Sequence, residues 1–325
     1  ELDIPLPFSL LNNNATLNRL EIMPAFWWMY NMYALARNGA KYRSRDKRKN
    51  KKQNIEFECL APDTIEEIFA ACRLLEIWTA RAWLRSAGRP EDGVSEQALA
   101  ARGRDLLSGP EEEVAHLEIL GENMERSSRK VVILKTWQAW RAYHDMIRYY
   151  GVKNLAAWIH AHPEAGFEAM QKALSGRRIE RWVNFGGQLM HEKETDRLRA
   201  DIVSGRLRDW QAIHRRYTSL WEKYPLAKQK HAFASLCSVL GVRRLNRKQW
   251  LAALEDSVRI QQFVSDQVYL SRKKDYDNPF HRATFRNDEE MAAAIGTIDE
   301  NDFIRQVREE SAEYLRLVAE IKQRS

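Results

Sequence analysis

A run of cations is the chemically most distinctive stretch of this sequence. Residues 41–52 (KYRSRDKRKNKK) hold eight Lys and Arg against one Asp, a net charge of +7. Of 52 basic and 45 acidic residues, that leaves 44 of each elsewhere, so the body is neutral and the segment carries the whole imbalance. Arg43, Arg45, Lys47, Arg48, Lys49, Lys51 and Lys52 are therefore candidate anion-binding residues. Their targets would be RNA, DNA, anionic lipid or the phosphate of a nucleotide or nucleotide sugar, and binding driven by counterion release weakens steeply with salt. Trp27, Trp28, Tyr30 and Tyr33 lie just upstream and offer rings for base stacking. The competing interpretation is a solvated loop whose charges keep the protein in solution, with those aromatics in the core. An apolar helix followed by cations also suits a membrane-surface anchor, but the upstream helix lacks the polar face that an interfacial helix needs.

Other side chains fail as catalytic sets. Glu113 and His116 have the i, i+3 spacing of di-iron carboxylate bundles, yet those need two such pairs and two further Glu, and no second Glu-x-x-His occurs. His160 and His162 would point to different sides of a helix, a poor chelate. His144 lies on an aromatic stripe and reads as a core histidine. His281, in Asp277-Asn278-Pro279-Phe280-His281-Arg282, is the loop-site candidate, because loops carry function more often than cores, though it has no identifiable nucleophile. Gly186-Gly187 would serve as a linker, or as exposed N–H groups for a phosphate ahead of a helix. No pattern asks for a metal or cofactor, and no residue is assigned a catalytic role.

The elements that must hold these residues read as helices. The chain has 325 residues, 44% hydrophobic and 30% charged, with only 14 Gly and 9 Pro, which disfavours a turn-rich β fold. Cys59, Cys72 and Cys237 are far apart and make no Cys-x-x-Cys pair, so a reducing cytoplasm is the expected location. No secretory signal is visible at the start. The most apolar stretch, Ile22 to Ala36, is shorter than the roughly 20 residues of a membrane span.

Pro5, Pro7 and Asn12-Asn13-Asn14 make residues 1–21 an extended arm or linker. Residues 22–59 comprise a buried aromatic helix opened by Pro24, then the basic segment, then a short extended link at 55–59. Residues 60–325 form the main helical domain. Asp63 or Thr64 can cap a helix there, with Glu66 or Glu67 as reciprocal partner. Helices are expected near 95–107, 111–127 and 129–150, the last ended by Gly151. Others follow near 153–161, 164–174, 188–203 and 206–223, with Pro225 as a boundary. Asn246 caps a long helix broken at Asp277-Asn278-Pro279, and 277–287 form a polar loop. A helix near 300–323 has heptad-like spacing interrupted by Ser311. The expected fold class is all-α, an irregular multi-helix array with an extended N-terminal arm and little or no sheet.

Three stretches carry a family resemblance: LDIPLPFSLLNNN, LEIMPAFWWMYNMYALARN and RDKRKNKKQNIEFECLAPDTIEEIF. They are similar to the later half of a family of unknown function numbered 4954. The match is specific over about residues 2–85, clearest at Arg45-Asp46-Lys47-Arg48 and Leu60-Ala61-Pro62-Asp63-Thr64, and looser beyond. Members are about twice this length, and their first half resembles the left-handed hexapeptide-repeat β-helix of UDP-N-acetylglucosamine acyltransferases. The resemblance implies a C-terminal helical accessory domain of a transferase-like protein. Its partner would be a missing N-terminal β-helix half, through which a homo-oligomer would form. In those enzymes the catalytic His and the acyl-donor groove belong to the β-helix. This chain has no apolar-Gly-x-x-x-x run, so no catalytic residue is carried over, and whether the full-length protein is an enzyme stays open.

Overall fold

Apolar residues recur at three- and four-residue steps along most of the chain, and these stretches become helices that bury one stripe each. A computed structural model describes residues 3–49 and 53–324. Lys51, Lys52 and the side chain of Arg43 lie outside the described residues. In order the elements are β1 (Leu10–Asn14), β2 (Arg19–Met23), α1 (Phe26–Tyr30), α2 (Met32–Arg45), α3 (Pro62–Ser86), α4 (Glu96–Ser108), α5 (Glu112–Ala115), β3 (Lys130–Ile133) and α6 (Thr136–Ala161). There follow α7 (Phe167–Leu174), β4 (Trp182–Phe185), β5 (Gln188–His191), α8 (Glu192–Val203), α9 (Trp210–Val239), α10 (Arg247–Asp277), α11 (Pro279–Arg282), α12 (Asp288–Ile295) and α13 (Asp302–Arg324). The fold is a mostly helical, irregular array in which strands are few and short.

The chain divides into two compact units, Glu1–Met32 with Glu67–Asp145, and Tyr33–Glu66 with Met146–Ser325. These divisions do not fall at the expected 21/22 and 59/60 borders, because the chain returns to each unit after leaving it.

In the first unit the N-terminal residues are extended but not loose. β1 and β2 pair antiparallel, Leu10 opposite Met23, and β3 joins β2 in parallel, Arg19 opposite Lys130. This corrects the helices expected over 111–127 and from 129. Between 111 and 135 only α5 is helical, and Gly121 donates to the Val131 carbonyl while Ile133 donates to that of Ile119. The physical reason is composition: Val131-Val132-Ile133 is β-branched throughout, and Ser127-Ser128 favour a turn. Tyr143 donates its hydroxyl to the Pro7 carbonyl at 2.6 Å.

The second unit's core joins α6, α7, α9, α10 and α13 through Leu155, Met170, Leu174, Phe233, Leu236, Trp250, Leu254, Val318 and Ile321. Gly151 does not end a helix here. α6 runs through it, because a Cβ at this position would meet Leu236 Cβ at 2.9 Å, so the glycine lets α9 approach. α9 likewise passes through Pro225, at the cost of one backbone hydrogen bond, with Pro225 itself exposed. The Asn246 cap is present as a full capping box with Gln249. Ser311, the interruption in the terminal seam, is buried and matched: Gln261 donates to its hydroxyl at 2.6 Å, and Tyr149 donates to Gln261. The expected loop at 277–287 holds the single turn α11, capped by Asn278. No helix among the described residues is long and apolar enough to cross a membrane.

Candidate functional site

Gly186-Gly187 is the turn of a hairpin, not a linker ahead of a helix. Both glycines have positive φ, +65° and +100°, which a two-residue hairpin turn demands and which glycine adopts without strain. Gly187 also lies against Ile55, where a Cβ would meet side-chain carbons at 3.0 and 3.2 Å. The 55–59 link forms no strand, but Glu56 N–H donates to the Gly187 carbonyl at 2.9 Å and Gln53 Nε2 to the Gly186 carbonyl at 2.7 Å. The end of the basic segment is thus tied to the β4–β5 turn.

Within that segment Arg48 is occupied. Its guanidinium grips Asp46 with two bonds of 2.7 and 2.8 Å and also donates to Gln53. The Asp46 hydrogen bonds hold the Arg48 pKa above its ordinary value. Arg45, Lys47 and Lys49 are exposed. Of the upstream rings, Trp28 and Tyr33 are buried, 3% and 8% exposed, whereas Trp27 and Tyr30 are half-buried.

A further row of rings lies on α9. Trp210, His214, Tyr217, Trp221, Tyr224, Lys228 and His231 recur on α9 at steps of four and three, which places them on one stripe. Trp210 is 71% exposed, and the stripe sinks to Tyr224 at 5% and His231 at 2%. Ring centroids of Trp210 and His214 are 6.2 Å apart, and those of His214 and Tyr217 6.1 Å. Phe185, at the hairpin tip, lies 5.7 Å from Tyr217. Trp221 stacks on Tyr224 at 5.0 Å, and Trp182 and Leu189 close a small core with Tyr224 and Ala61. This ladder was missed in the sequence because Pro225 divides it, although its spacing is visible once the helix is allowed to continue.

The buried end of the stripe enters a polar network. Lys228 Nζ lies 2.8 Å from Glu56 Oε2 and 3.0 Å from Glu58 Oε2, and Tyr224 donates its hydroxyl to Glu56 at 2.6 Å. Glu66, expected as a helix-capping partner, instead meets His231 Nε2 at 2.8 Å and Arg178 at 3.1 Å. Burial lowers the His231 pKa, with Glu66 opposing the shift. In the neutral ring Nε2–H donates to Glu66 and Nδ1 accepts. The Tyr150 hydroxyl lies 3.0 Å from Nδ1 and 3.3 Å from the Lys228 carbonyl, and so divides one proton between two acceptors. Burial, then the surrounding carboxylates, push the Tyr150 and Tyr224 hydroxyls far up. In connectivity Tyr150–His231–Glu66 is a general-base relay. With Tyr150 1% and His231 2% exposed, no substrate atom reaches it, so it acts as a structural hub.

The remaining candidates stay apart. His281 is exposed on α11, its Nδ1 3.1 Å from the Asp275 carbonyl, and its neighbour Arg282 pairs with Asp288. The neighbouring Thr284 hydroxyl donates to the His281 backbone carbonyl at 2.7 Å, not to its ring. His162 stacks on Trp158 and His144 on Trp140. Among the described residues, no group of three or more His, Cys, Asp or Glu could hold a metal ion. Cys59, Cys72 and Cys237 are free thiols.

Over 326 aligned residues the chain is 37% identical to an uncharacterized protein of Treponema pallidum (strain Nichols). The match takes in 98% of this chain but 42% of the relative, so the chain spans less than half of that protein's length. No family model and no solved structure matches the chain.

Proposed function

We propose that this chain is a helical accessory portion of a longer, transferase-like polypeptide, and that it shapes a substrate groove or holds an oligomer without supplying the reacting groups. The observation that carries this reading is how the chemically capable side chains are used. Glu56, Glu66, Tyr150, Lys228 and His231 spend their polar atoms on one another beneath the surface, whereas a catalytic group must reach a reacting atom. A relative that continues well beyond the matching segment supports it, as does the resemblance to proteins whose other half is a hexapeptide-repeat β-helix. The test is acyl transfer from a thioester donor, measured with the longer polypeptide and with the 325-residue chain alone. Activity is expected in the longer protein only, and transfer by the chain alone overturns the reading.

A second reading, polyanion binding centred on residues 41–52, is favoured by the exposure of Arg45, Lys47 and Lys49 beside a hairpin that anchors the segment. Nucleic acid, anionic lipid and a nucleotide-sugar phosphate all present the required charge. Changing those three residues together to Gln is expected to weaken binding of heparin, a base-free polyanion, at low salt. Unchanged heparin affinity overturns this reading.

A further inference from the structure

We propose that the exposed half of the α9 ladder, with Phe185 at the hairpin tip, is a stacking platform for single-stranded nucleic acid whose phosphates Arg45, Lys47 and Lys49 hold. The inference rests on the polyanion reading and names its ligand.

Four observations converge. A Trp left 71% exposed at the end of a helix leaves a large ring face in water, and stacking is the use that such a face fits. Trp210, His214, Tyr217 and Phe185 follow one another at 5.7 to 6.2 Å, tilted or edge-to-face, a row of rings rather than a single one. The row is joined to the cations, because Gln53 bonds the Gly186 carbonyl, one residue beyond Phe185, and Arg48 donates to Gln53. The charge is complementary: Arg45, Lys47 and Lys49, a few residues ahead of Gln53, are exposed cations.

The same features select among anions. Between the rungs α9 carries Gln211, Arg215, Thr218, Ser219 and Glu222, with Ile213 and Leu220 half-buried among them, so the stripe lacks the continuous exposed aliphatic face that a lipid surface rewards. A duplex hides its base faces, whereas a single strand offers them, and every base has one.

The experiment titrates the 325-residue chain with labelled oligo-dT, an abasic strand of equal length, heparin and phosphatidylserine vesicles at low salt. Oligo-dT should bind more tightly than the abasic strand. Trp210→Ala and, separately, Phe185→Ser should each weaken oligo-dT about tenfold, within the range for loss of one base stack, and leave the abasic strand and heparin unchanged. Gln at Arg45, Lys47 and Lys49 should weaken both strands and heparin alike and flatten the logarithmic salt slope for the strands by about two. Trp210 is exposed, so a thermal melt will show each variant folded. Equal binding of the base-bearing and abasic strands, with Trp210→Ala neutral, overturns the platform and leaves polyanion binding intact. Absence of binding to every strand and to heparin overturns both, and vesicle binding that exceeds oligo-dT and depends on Trp210 replaces the ligand with lipid.

Discussion

Two carboxylate sites, one in each unit, solve the same electrostatic problem differently. In the first unit Glu76 is 2% exposed and meets both donors of the Arg104 fork at 3.0 Å, with Trp140 Nε1 adding a bond at 3.2 Å. One acid and one largely solvated base make a closed clamp between α3 and α4. Gly103 completes it, since a Cβ there would sit 1.8 Å from the Glu76 carbonyl oxygen. In the second unit Glu56, Glu58 and Glu66 share Lys228, His231 and Arg178, and two tyrosine hydroxyls fill the remaining positions. That network includes a titrating imidazole and ends in a ladder of rings that reaches solvent. The contrast separates two uses of buried charge: a single bidentate pair fixes a helix crossing, while a branched network joins a link, a hairpin and three helices around one hub.

Substitutions sharpen this contrast in a graded series. Arg104→Ala should cost the most, about 3–5 kcal/mol by urea denaturation, because it leaves the Glu76 charge buried and uncompensated. A loss under ~1 kcal/mol would show that the clamp is not a charge pair in the folded protein. Gly103→Ala should follow at about 3 kcal/mol, the upper end of overpacking penalties, since the obstacle is backbone. Lys228→Met should cost about 2 kcal/mol, less than Arg104→Ala, because Glu58 is 40% exposed and can hydrate. If Lys228→Met proved the more damaging, the hub rather than the clamp would be the tighter structure.

The pH response should separate the units further. Burial lowers the pKa of both His231 and His191, so the folded protein holds these rings neutral more firmly than the unfolded chain does. The unfolded state then binds protons first, near the ordinary histidine value of about 6.5. Stability is therefore full above that value and falls as the pH drops through it. His231→Gln keeps an N–H for Glu66 but cannot titrate, and should cost about 1 kcal/mol at neutral pH while flattening the loss on acidification. An unchanged acid limb would place the titration elsewhere. The smallest effect belongs to Arg181→Ala: the Arg181–Glu192 pair is 79% and 42% exposed, so its loss should stay within ~0.5 kcal/mol.

Much of this was legible in the residues. Helical periodicity, the Asn246 cap and the isolated cationic run all follow from local chemistry. The misreadings share one cause. Gly151 and Pro225 are helix breakers by propensity, yet each lies inside a helix, because close packing on Leu236 wants the glycine and the buried stripe from Tyr224 to His231 holds the turns that follow the proline. Residues 130–133 were read as helix because their pairing partner, β2, is more than a hundred positions away. The cationic half of the candidate interface was visible as charge. Its rings were sought upstream, where sequence neighbourhood put them, although burial claims Trp28 and Tyr33 and hairpin pairing brings Phe185 to the α9 ladder.

Helix content, the neutral body and the +7 segment are properties of composition and of periodicity over a few turns, so the chain's order of residues settles them alone. The partners of Glu66, the docking of Gln53 on the Gly186-Gly187 turn and the exposure of Trp210 depend on contacts between segments distant in sequence, the first two across more than a hundred residues. Short-range propensity contributes tenths of a kcal/mol per residue, burial of an apolar side chain about 1.5–3 kcal/mol. Where the two disagree, packing decides.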